Sequence, residues 1–110
     1  MLKRGIEIQK VWIIAGRTDM RNGVTGLAAQ VSLRSGLDPT EKGSLFLFCG
    51  RRKDRIKGIM YEGDGFILIN KRLTNGRYCW PESQERETKS LTLEEYDRLM
   101  SGFPIASTIK

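Results

Sequence analysis

The densest group of cations in the sequence lies between residues 51 and 57, and a binding site for an anionic ligand is most readily expected there. Its five cations are Arg51, Arg52, Lys53, Arg55 and Lys57, and a single acid, Asp54, interrupts them. Guanidinium and ammonium groups at this density favour contact with phosphate oxygens, which positions a polyanion without reading its sequence. The alternative is a solvated loop, because charged side chains ordinarily lie on the surface.

The charge of the whole chain points to the same class of partner. Its 110 residues contain 19 Lys and Arg against 13 Asp and Glu, a formal charge of +6. Residues 1–80 contain 15 basic and 7 acidic side chains, whereas residues 81–110 contain 4 and 6. A basic body without a basic amphipathic helix favours nucleic acid over a membrane surface. The longest strongly apolar run, residues 11–15, is too short for a membrane span or signal peptide, so we expect a cytoplasmic protein.

Catalytic chemistry finds little support in the residue types. The sequence contains no histidine, which removes the usual general base of hydrolytic triads and the commonest zinc ligand. Cys49 and Cys79 are too few for a Cys₄ metal site and are expected to be small buried apolar residues. Asp54 would lie roughly 26 Å along a strand from Glu62 and Asp64, too far for the three to share Mg²⁺. We therefore expect no enzyme activity, no metal and no cofactor.

Apolar periodicity predicts the α+β elements that must hold the cations. Residues 11–15 read as a buried strand, and residues 45–49, apolar on both faces, as a central strand. Between them, Thr18 or Asp19 is predicted to cap a helix that extends to about Arg34. This helix would pack on one face of the sheet.

Two turn signals predict that the rest of the sheet is antiparallel. Residues 62–65 (Glu-Gly-Asp-Gly) separate the apolar runs 56–61 and 66–69, which indicates a hairpin. Asn75-Gly76 predicts a second tight turn, followed by a strand at residues 78–80. The predicted architecture is an antiparallel β-meander of about five strands, with one helix packed on it and a short C-terminal helix.

The chain is short enough for a single domain over residues 1–110. We divide it into a core at about 11–81, a polar linker at 82–90 and a C-terminal helix at about 92–101. Thr92 opens that helix, with Glu95 at the capping-box spacing. An apolar stripe docks the helix on its own sheet or on another protein. The stripe consists of Leu93, Tyr96, Leu99 and Met100.

The hairpin fixes which side chains share a face. A loop of two or four residues places Arg55 opposite Arg72, Lys57 opposite Asn70 and Tyr61 opposite Phe66, all on one face. Two arginines directly opposite each other cost stability unless an anion lies between them. Continuing through the second turn would bring Arg77 to the same face. The predicted nucleic-acid-binding residues are Arg51, Arg52, Lys53, Arg55, Lys57, Arg72 and Arg77.

Short motifs along the chain carry a family resemblance. In chain order they are Thr18-Asp19-Met20-Arg21 with Gly23, Gly26-Leu27, Gly36-Leu37-Asp38-Pro39, Leu45-Phe46 with Phe48, Arg51-Arg52, Asp54-Arg55-Ile56-Lys57, Gly63-Asp64-Gly65-Phe66, Lys71-Arg72-Leu73, Gly76 and Trp80-Pro81. Over about residues 11–102 the chain resembles the small TnpB-type accessory protein, the second open reading frame product, of the insertion sequence 66 family of bacterial transposable elements. Tyr61-Glu62 stands where the family pattern has Trp-Asp, which keeps an aromatic residue and an acid.

The resemblance implies a protein encoded beside a transposase and needed for efficient transposition, with no assigned catalytic residues. The implied partners are DNA and the transposase or other proteins of the same element. Two functions stay open at this point. The first is an accessory factor that binds DNA through a basic sheet surface. The second is an adaptor that binds the transposase without direct DNA contact, through Tyr61, Phe66, Tyr96 and Leu99.

Overall fold

A computed structural model describes residues 7–82 and 88–101. Its elements, in chain order, are β1 (Lys10–Arg17), α1 (Val24–Ser35), β2 (Ser44–Cys49), β3 (Arg55–Tyr61), β4 (Phe66–Arg72), β5 (Thr88–Leu91) and α2 (Leu93–Met100). The five strands form one sheet in the order β4-β3-β2-β1-β5. The predicted α+β class and the number of strands are confirmed. Neither helix has the length and apolar character needed to cross a membrane.

The predicted meander is wrong at β1, because β1 and β2 are parallel. Val11 aligns with Leu45 and Ile13 with Leu47, whereas β2, β3 and β4 are successive antiparallel neighbours. The sheet is therefore mixed. The physical reason is the 12-residue helix α1, which carries the chain back along the sheet as a crossover that parallel pairing requires. As a result, β1 and β2 end at the same end of the sheet.

The fifth strand is also not where the sequence predicted it. Residues 78–80 form no strand. Instead, the Trp80 indole Nε1 donates a 2.9 Å hydrogen bond to the Ile14 carbonyl, and the two aromatic rings of Tyr78 and Trp80 are buried in the core. The strand β5 pairs antiparallel with β1, with Leu91 opposite Val11. Residues 88–90 thus belong to the sheet, while residues 83–87 of the predicted linker lie outside the described residues.

Both faces of the sheet are covered by apolar side chains. On one face, Leu27 and Val31 of α1 pack with Ile14, Phe46 and Ile59. Alternating residues of the same strands point to the opposite face, where α2 contributes. The buried residues there are Val11, Ile13, Leu45, Leu47, Cys49, Ile56, Met60, Tyr78, Trp80, Leu91 and Leu99. The two helices therefore lie on opposite faces of a central sheet whose β2 strand is buried throughout.

Helix α1 begins later than predicted, at Val24 with Gly23 at its N-cap. Asp19, one of the two predicted caps, instead accepts a 2.9 Å hydrogen bond from the backbone N–H of Arg21. This local turn satisfies the carboxylate two residues on, as Asp commonly does outside helices. The predicted N-cap at Thr18 or Asp19 is therefore wrong. The chain leaves β1 through a loop of its own before the helix starts.

The predicted β3–β4 register is confirmed. Arg55 pairs with Arg72, Lys57 with Asn70 and Tyr61 with Phe66. The loop has four residues, 62–65. The rings of Tyr61 and Phe66 meet edge to face with their centroids 5.1 Å apart.

Helix α2 has the predicted capping box. The Thr92 hydroxyl accepts a 3.0 Å hydrogen bond from the Glu95 backbone, and the Glu95 carboxylate accepts a 2.8 Å bond from the Thr92 backbone. At its other end, the Lys71 ammonium donates a hydrogen bond to the Met100 carbonyl. Leu99 of α2 is 0% exposed. A helix of only eight residues depends on such end contacts, because short helices are marginal by themselves.

We expect Thr92→Ala to lower the free energy of unfolding by about 1 kcal/mol, because it leaves the Glu95 backbone N–H without its side-chain acceptor. Thr92→Ser keeps the hydroxyl oxygen and serves as the matched control. Urea denaturation followed by far-ultraviolet circular dichroism measures both. A loss as large in Thr92→Ser as in Thr92→Ala would contradict the capping role.

Candidate functional site

Arginines from four segments of the chain meet in a cleft at one end of the sheet. The cleft has a volume of about 640 Å³. Its charged lining residues are Arg17, Asp19, Arg21, Arg51, Arg52, Asp54, Arg55 and Arg72. Six arginines against two aspartates give this lining a formal charge of +4.

The strand directions bring these segments together. Because β1 and β2 are parallel, the residues that follow each strand leave the sheet at the same end. Strand β3 begins at that end and β4 finishes there, since both pairings in β2–β3–β4 are antiparallel. The cleft thus lies beyond the carboxyl ends of β1 and β2, where sheets with parallel strands commonly bind ligands.

A β-bulge at the end of β1 brings Arg17 to the cleft. The register with β2 shifts between Ile13 and Arg17, and Gly16 has a φ of 79°, a backbone conformation that glycine adopts without steric cost. The Gly16 N–H donates a 2.8 Å hydrogen bond to the Pro81 carbonyl. Arg17 then pairs with Cys49, the last residue of β2. Bulges of this kind redirect side chains at the ends of strands.

Cations outside the cleft hold the loop that follows β1. The Arg34 guanidinium, in the last turn of α1, donates a 2.9 Å hydrogen bond to the Thr18 hydroxyl and another bond to the Ala15 carbonyl. The Lys57 ammonium donates a 3.0 Å bond to the Asn22 carbonyl. The two side chains tie the start and the end of this loop to elements of the fold, so Asp19 and Arg21 sit on an anchored backbone.

Contacts between the β1 and β2 ends close the floor of the cleft. The Thr18 N–H donates a 2.8 Å hydrogen bond to the Cys49 carbonyl. Met20 packs so closely on Gly50 that a Cβ there would lie 2.6 Å from the Met20 Cγ, well inside ordinary van der Waals contact. Only a glycine at position 50 allows this approach. The two loops are therefore joined as one surface.

The turn between β2 and β3, which carries Arg51 and Arg52, is held by backbone hydrogen bonds. Gly50 N–H donates to the Arg55 carbonyl at 3.2 Å, and Lys53 N–H donates to the Gly50 carbonyl at 3.1 Å. Leu73, just after β4, donates to the Asp54 carbonyl at 2.8 Å. These bonds hold the turn against the sheet end, so its two arginines face the cleft from a defined backbone.

Asp19 and Arg21 neutralise each other within the cleft. The guanidinium donates from Nε to Oδ1 at 3.0 Å and from Nη2 to Oδ2 at 2.7 Å. These bonds, with the Arg21 backbone N–H and the Lys57 charge, lower the pKa of Asp19 to about 2. The carboxylate is therefore ionised at neutral pH. The positive charge of Arg21 is therefore balanced by the Asp19 carboxylate.

Four other arginines of the cleft have no such partner. In residues 7–82 and 88–101, no hydrogen bond or ion pair engages the side chains of Arg51, Arg52, Arg55 and Arg72. Arg55 and Arg72 are directly opposite across β3 and β4, which places their Cβ atoms about 5 Å apart. The cleft therefore concentrates positive charge that the described protein does not neutralise.

Three of the predicted nucleic-acid-binding residues lie elsewhere. Lys53 forms a 2.7 Å ion pair with Glu82, which raises the pKa of Lys53, and it lines a neighbouring cavity of about 410 Å³. Lys57 is bound to the loop carbonyl described above. Arg77 is exposed and lines neither cavity. Lys53 and Lys57 are therefore engaged by groups of the protein itself, and Arg77 lies apart from the cleft.

The sequence prediction missed Arg17 and Arg21 as members of this group. Arg17 ends β1 and Arg21 follows it, and both are far along the chain from residues 51–57. The order strand, helix, strand was the available signal, because such a unit normally pairs its strands in parallel and brings their carboxyl ends together. A meander would place the carboxyl ends of β1 and β2 at opposite ends of the sheet, so the predicted meander did not indicate that their arginines meet.

The described residues hold no assembly of acids or thiols suited to a metal. No group of three or more His, Cys, Asp and Glu side chains comes together within the two described ranges. Asp54 lines the cleft, whereas Glu62 and Asp64 lie at the opposite end of β3. Burial raises the pKa of the Cys49 thiol to about 12. Cys79 is exposed, so the prediction that both cysteines are buried is wrong for this one.

The residues predicted to bind a protein partner divide into two groups. Tyr61 and Phe66 are half-buried on the same face as Arg55 and Arg72, beside Leu68, which is 42% exposed. Tyr96 is half-buried and packs against the core. Leu99 is fully buried in its own chain's core, so its predicted contact with a partner is incompatible with the docked helix. We call Tyr61, Phe66 and Leu68 the β4 apolar patch.

Comparison with known proteins places the chain in a family. Residues 9–110 match the family model described as IS66 Orf2 like protein. The chain is 39% identical over 102 residues to "Uncharacterized protein y4hO" of Sinorhizobium fredii (strain NBRC 101917 / NGR234), covering 93% of this chain and 86% of that protein. It is 30% identical over 93 residues to "Uncharacterized protein y4jC" of the same strain, covering 84% and 78%. No solved structure matches the chain. The extent of these matches shows that the chain belongs to the IS66 Orf2-like family.

Proposed function

We propose that this protein is a non-catalytic accessory factor for transposition of a bacterial insertion sequence and that it binds DNA through the arginine-lined cleft. Membership of the IS66 Orf2-like family supports the accessory role. The observation that carries DNA binding is the convergence of six arginines on one cleft.

The chemistry of the cleft favours phosphate over other anions. Guanidinium groups donate paired hydrogen bonds that match phosphate oxygens, and they stay charged at every physiological pH. A lining with a formal charge of +4 would attract a polyanion and release its counterions on binding. Such contacts position DNA without selecting its sequence.

The acids in the lining support binding rather than cutting. Metal-dependent cleavage of DNA uses carboxylates that converge on Mg²⁺. In this cleft, Asp19 is engaged by Arg21, and Asp54 is the other acid of the lining. We therefore propose that the protein holds DNA while a different protein of the element carries out the chemistry.

We expect the affinity for duplex DNA to fall with salt, with a slope of log K against log[salt] of about −4 to −5 if five or so cations contact phosphates. Replacing both Arg51 and Arg52 with Ala should reduce the magnitude of this slope by about 2, since two phosphate contacts are lost. Fluorescence anisotropy at a series of salt concentrations measures the slope.

The matched control for this experiment is Lys42→Ala combined with Arg77→Ala. It removes the same two charges from exposed positions outside the cleft, and we expect it to leave the slope close to that of the unaltered protein. Equal slopes for the two double variants would contradict the cleft as the binding site. Competition by a polyglutamate peptide at the same charge concentration as DNA would show that the cleft binds acidic protein instead.

Arg72→Gln should raise the free energy of unfolding by up to about 1 kcal/mol at low salt while it weakens DNA binding. The substitution removes the like-charge pair with Arg55, and its benefit should fade as salt screens the repulsion. Arg72→Lys keeps the charge and should give no such gain. Urea denaturation at low and high salt measures the difference. A loss of stability in Arg72→Gln that does not depend on salt would assign Arg72 a structural role.

A second candidate function is that of an adaptor for the transposase. The β4 apolar patch supports it, because strand β4 is at an edge of the sheet and Leu68 is 42% exposed. An exposed apolar patch next to an open strand edge is typical of a surface that binds another protein.

If the adaptor function is correct, Leu68→Glu should abolish co-purification of the transposase from nuclease-treated extract. Thr74→Glu, an exposed change beyond the end of β4, controls for the added charge and should preserve it. The salt slope for DNA should be the same in both variants. Transposase capture that survives Leu68→Glu would count against the β4 apolar patch as its binding surface.

A further inference from the structure

We infer that the arginine-lined cleft receives a terminal phosphomonoester of DNA, the phosphate at a strand end, in preference to the phosphodiester backbone of a continuous duplex. This inference rests on the proposed function and names the part of DNA that the site recognises. The cleft's charge distribution, the arrangement of its donors and the pairing of two of its arginines support it.

The positive charge is concentrated in one place. A surface that tracks a duplex backbone needs cations spread along a line. Lys53, however, forms an ion pair with Glu82, and Lys57 donates a hydrogen bond to the Asn22 carbonyl. Four arginines that have no such partner in the described residues, Arg51, Arg52, Arg55 and Arg72, line a single cavity of about 640 Å³.

The arrangement of donors around the site also favours an end. Each phosphate of a continuous duplex is fixed by two covalent links along the surface of a convex cylinder. A strand end carries its phosphate at the tip, with one covalent link instead of two. Such a group can enter a cleft and meet donors from the loops after β1 and β2 and from strands β3 and β4 at once.

The charge of the ligand matches the unbalanced arginines. A phosphomonoester carries a charge of about −2 near neutral pH and three terminal oxygens, whereas a phosphodiester carries a single charge and two. Arg55 and Arg72, opposite each other across two strands, repel unless an anion lies between them. An additional charge-assisted hydrogen bond and a second negative charge both favour the terminal group.

The test compares one duplex sequence in four forms: with 5′-phosphate ends, with 3′-phosphate ends, with hydroxyl ends, and closed at both ends by hairpin loops. We expect a form with terminal phosphate to bind about tenfold more tightly than the hydroxyl and closed forms, the effect of one further charge-assisted hydrogen bond. Fluorescence anisotropy at constant salt gives the four dissociation constants.

Substitutions in the cleft test whether its arginines cause the preference for terminal phosphate. Arg55→Gln combined with Arg72→Gln should reduce the advantage of the phosphorylated ends to less than about twofold. Lys42→Gln combined with Arg77→Gln removes the same charge outside the cleft and should preserve the advantage. Circular dichroism of both variants shows whether the fold is kept. If the Arg55/Arg72 double variant does not fold, the single variant Arg52→Gln replaces it, since Arg52 is an exposed turn residue of the cleft.

The outcomes separate this inference from the proposed function. Equal binding of the four forms, with the cleft dependence of the salt slope intact, would overturn the preference for ends and leave DNA binding standing. Absence of binding to every form would overturn the proposed function itself. Inorganic phosphate or a nucleoside monophosphate that competes as well as the phosphorylated duplex, mole for mole, would identify a free phosphate as the ligand and overturn the assignment to DNA ends.

Discussion

The parallel pairing of β1 and β2 is the constraint on which the site depends. Parallel neighbours finish at the same end of a sheet, so the residues after β1 and the residues after β2 meet although about thirty positions separate them in the sequence. The helix between them supplies the return path and covers one face of the sheet. If the two strands were antiparallel, Arg17 and Arg21 would lie at the end of the sheet opposite Arg51 and Arg52, and no common cleft would exist.

Two groups of cations in the molecule have distinct roles. Arg34, Lys57 and Lys71 donate to backbone carbonyls and so hold loops and helix ends. The cleft arginines instead face a cavity, and two of them oppose each other on adjacent strands. The sheet can tolerate this repulsion because its stability comes from apolar packing on both faces. The cleft arginines repel one another when no anion is bound, and apolar packing of the sheet offsets that cost. This combination is typical of a binding site for an anionic ligand.

Local patterns were sufficient for some elements and not for others. The hairpin at residues 62–65 and the capping box at Thr92 were predictable, because a turn or a cap depends on residues within four positions of one another. The start of α1 was not, since Asp19 found a nearer partner in Arg21. Residues 78–80 read as a strand by composition, yet the aromatic rings of Tyr78 and Trp80 are buried against the core without joining the ladder. Strand β5, in turn, read as polar linker because only its pairing with β1 makes it a strand.

The sequence by itself determined that this protein is basic, that its cations are densest between residues 51 and 57, and that Arg55 and Arg72 share a strand pair and a face. These properties follow from composition and from pairing across a short loop. Only the tertiary structure decided which cations meet. Whether Lys57 and Lys53 face a ligand or bind their own chain, and whether Arg17 and Arg21 join the cleft, depends on strand order and direction, which are set by packing between distant segments and leave little trace in any local pattern.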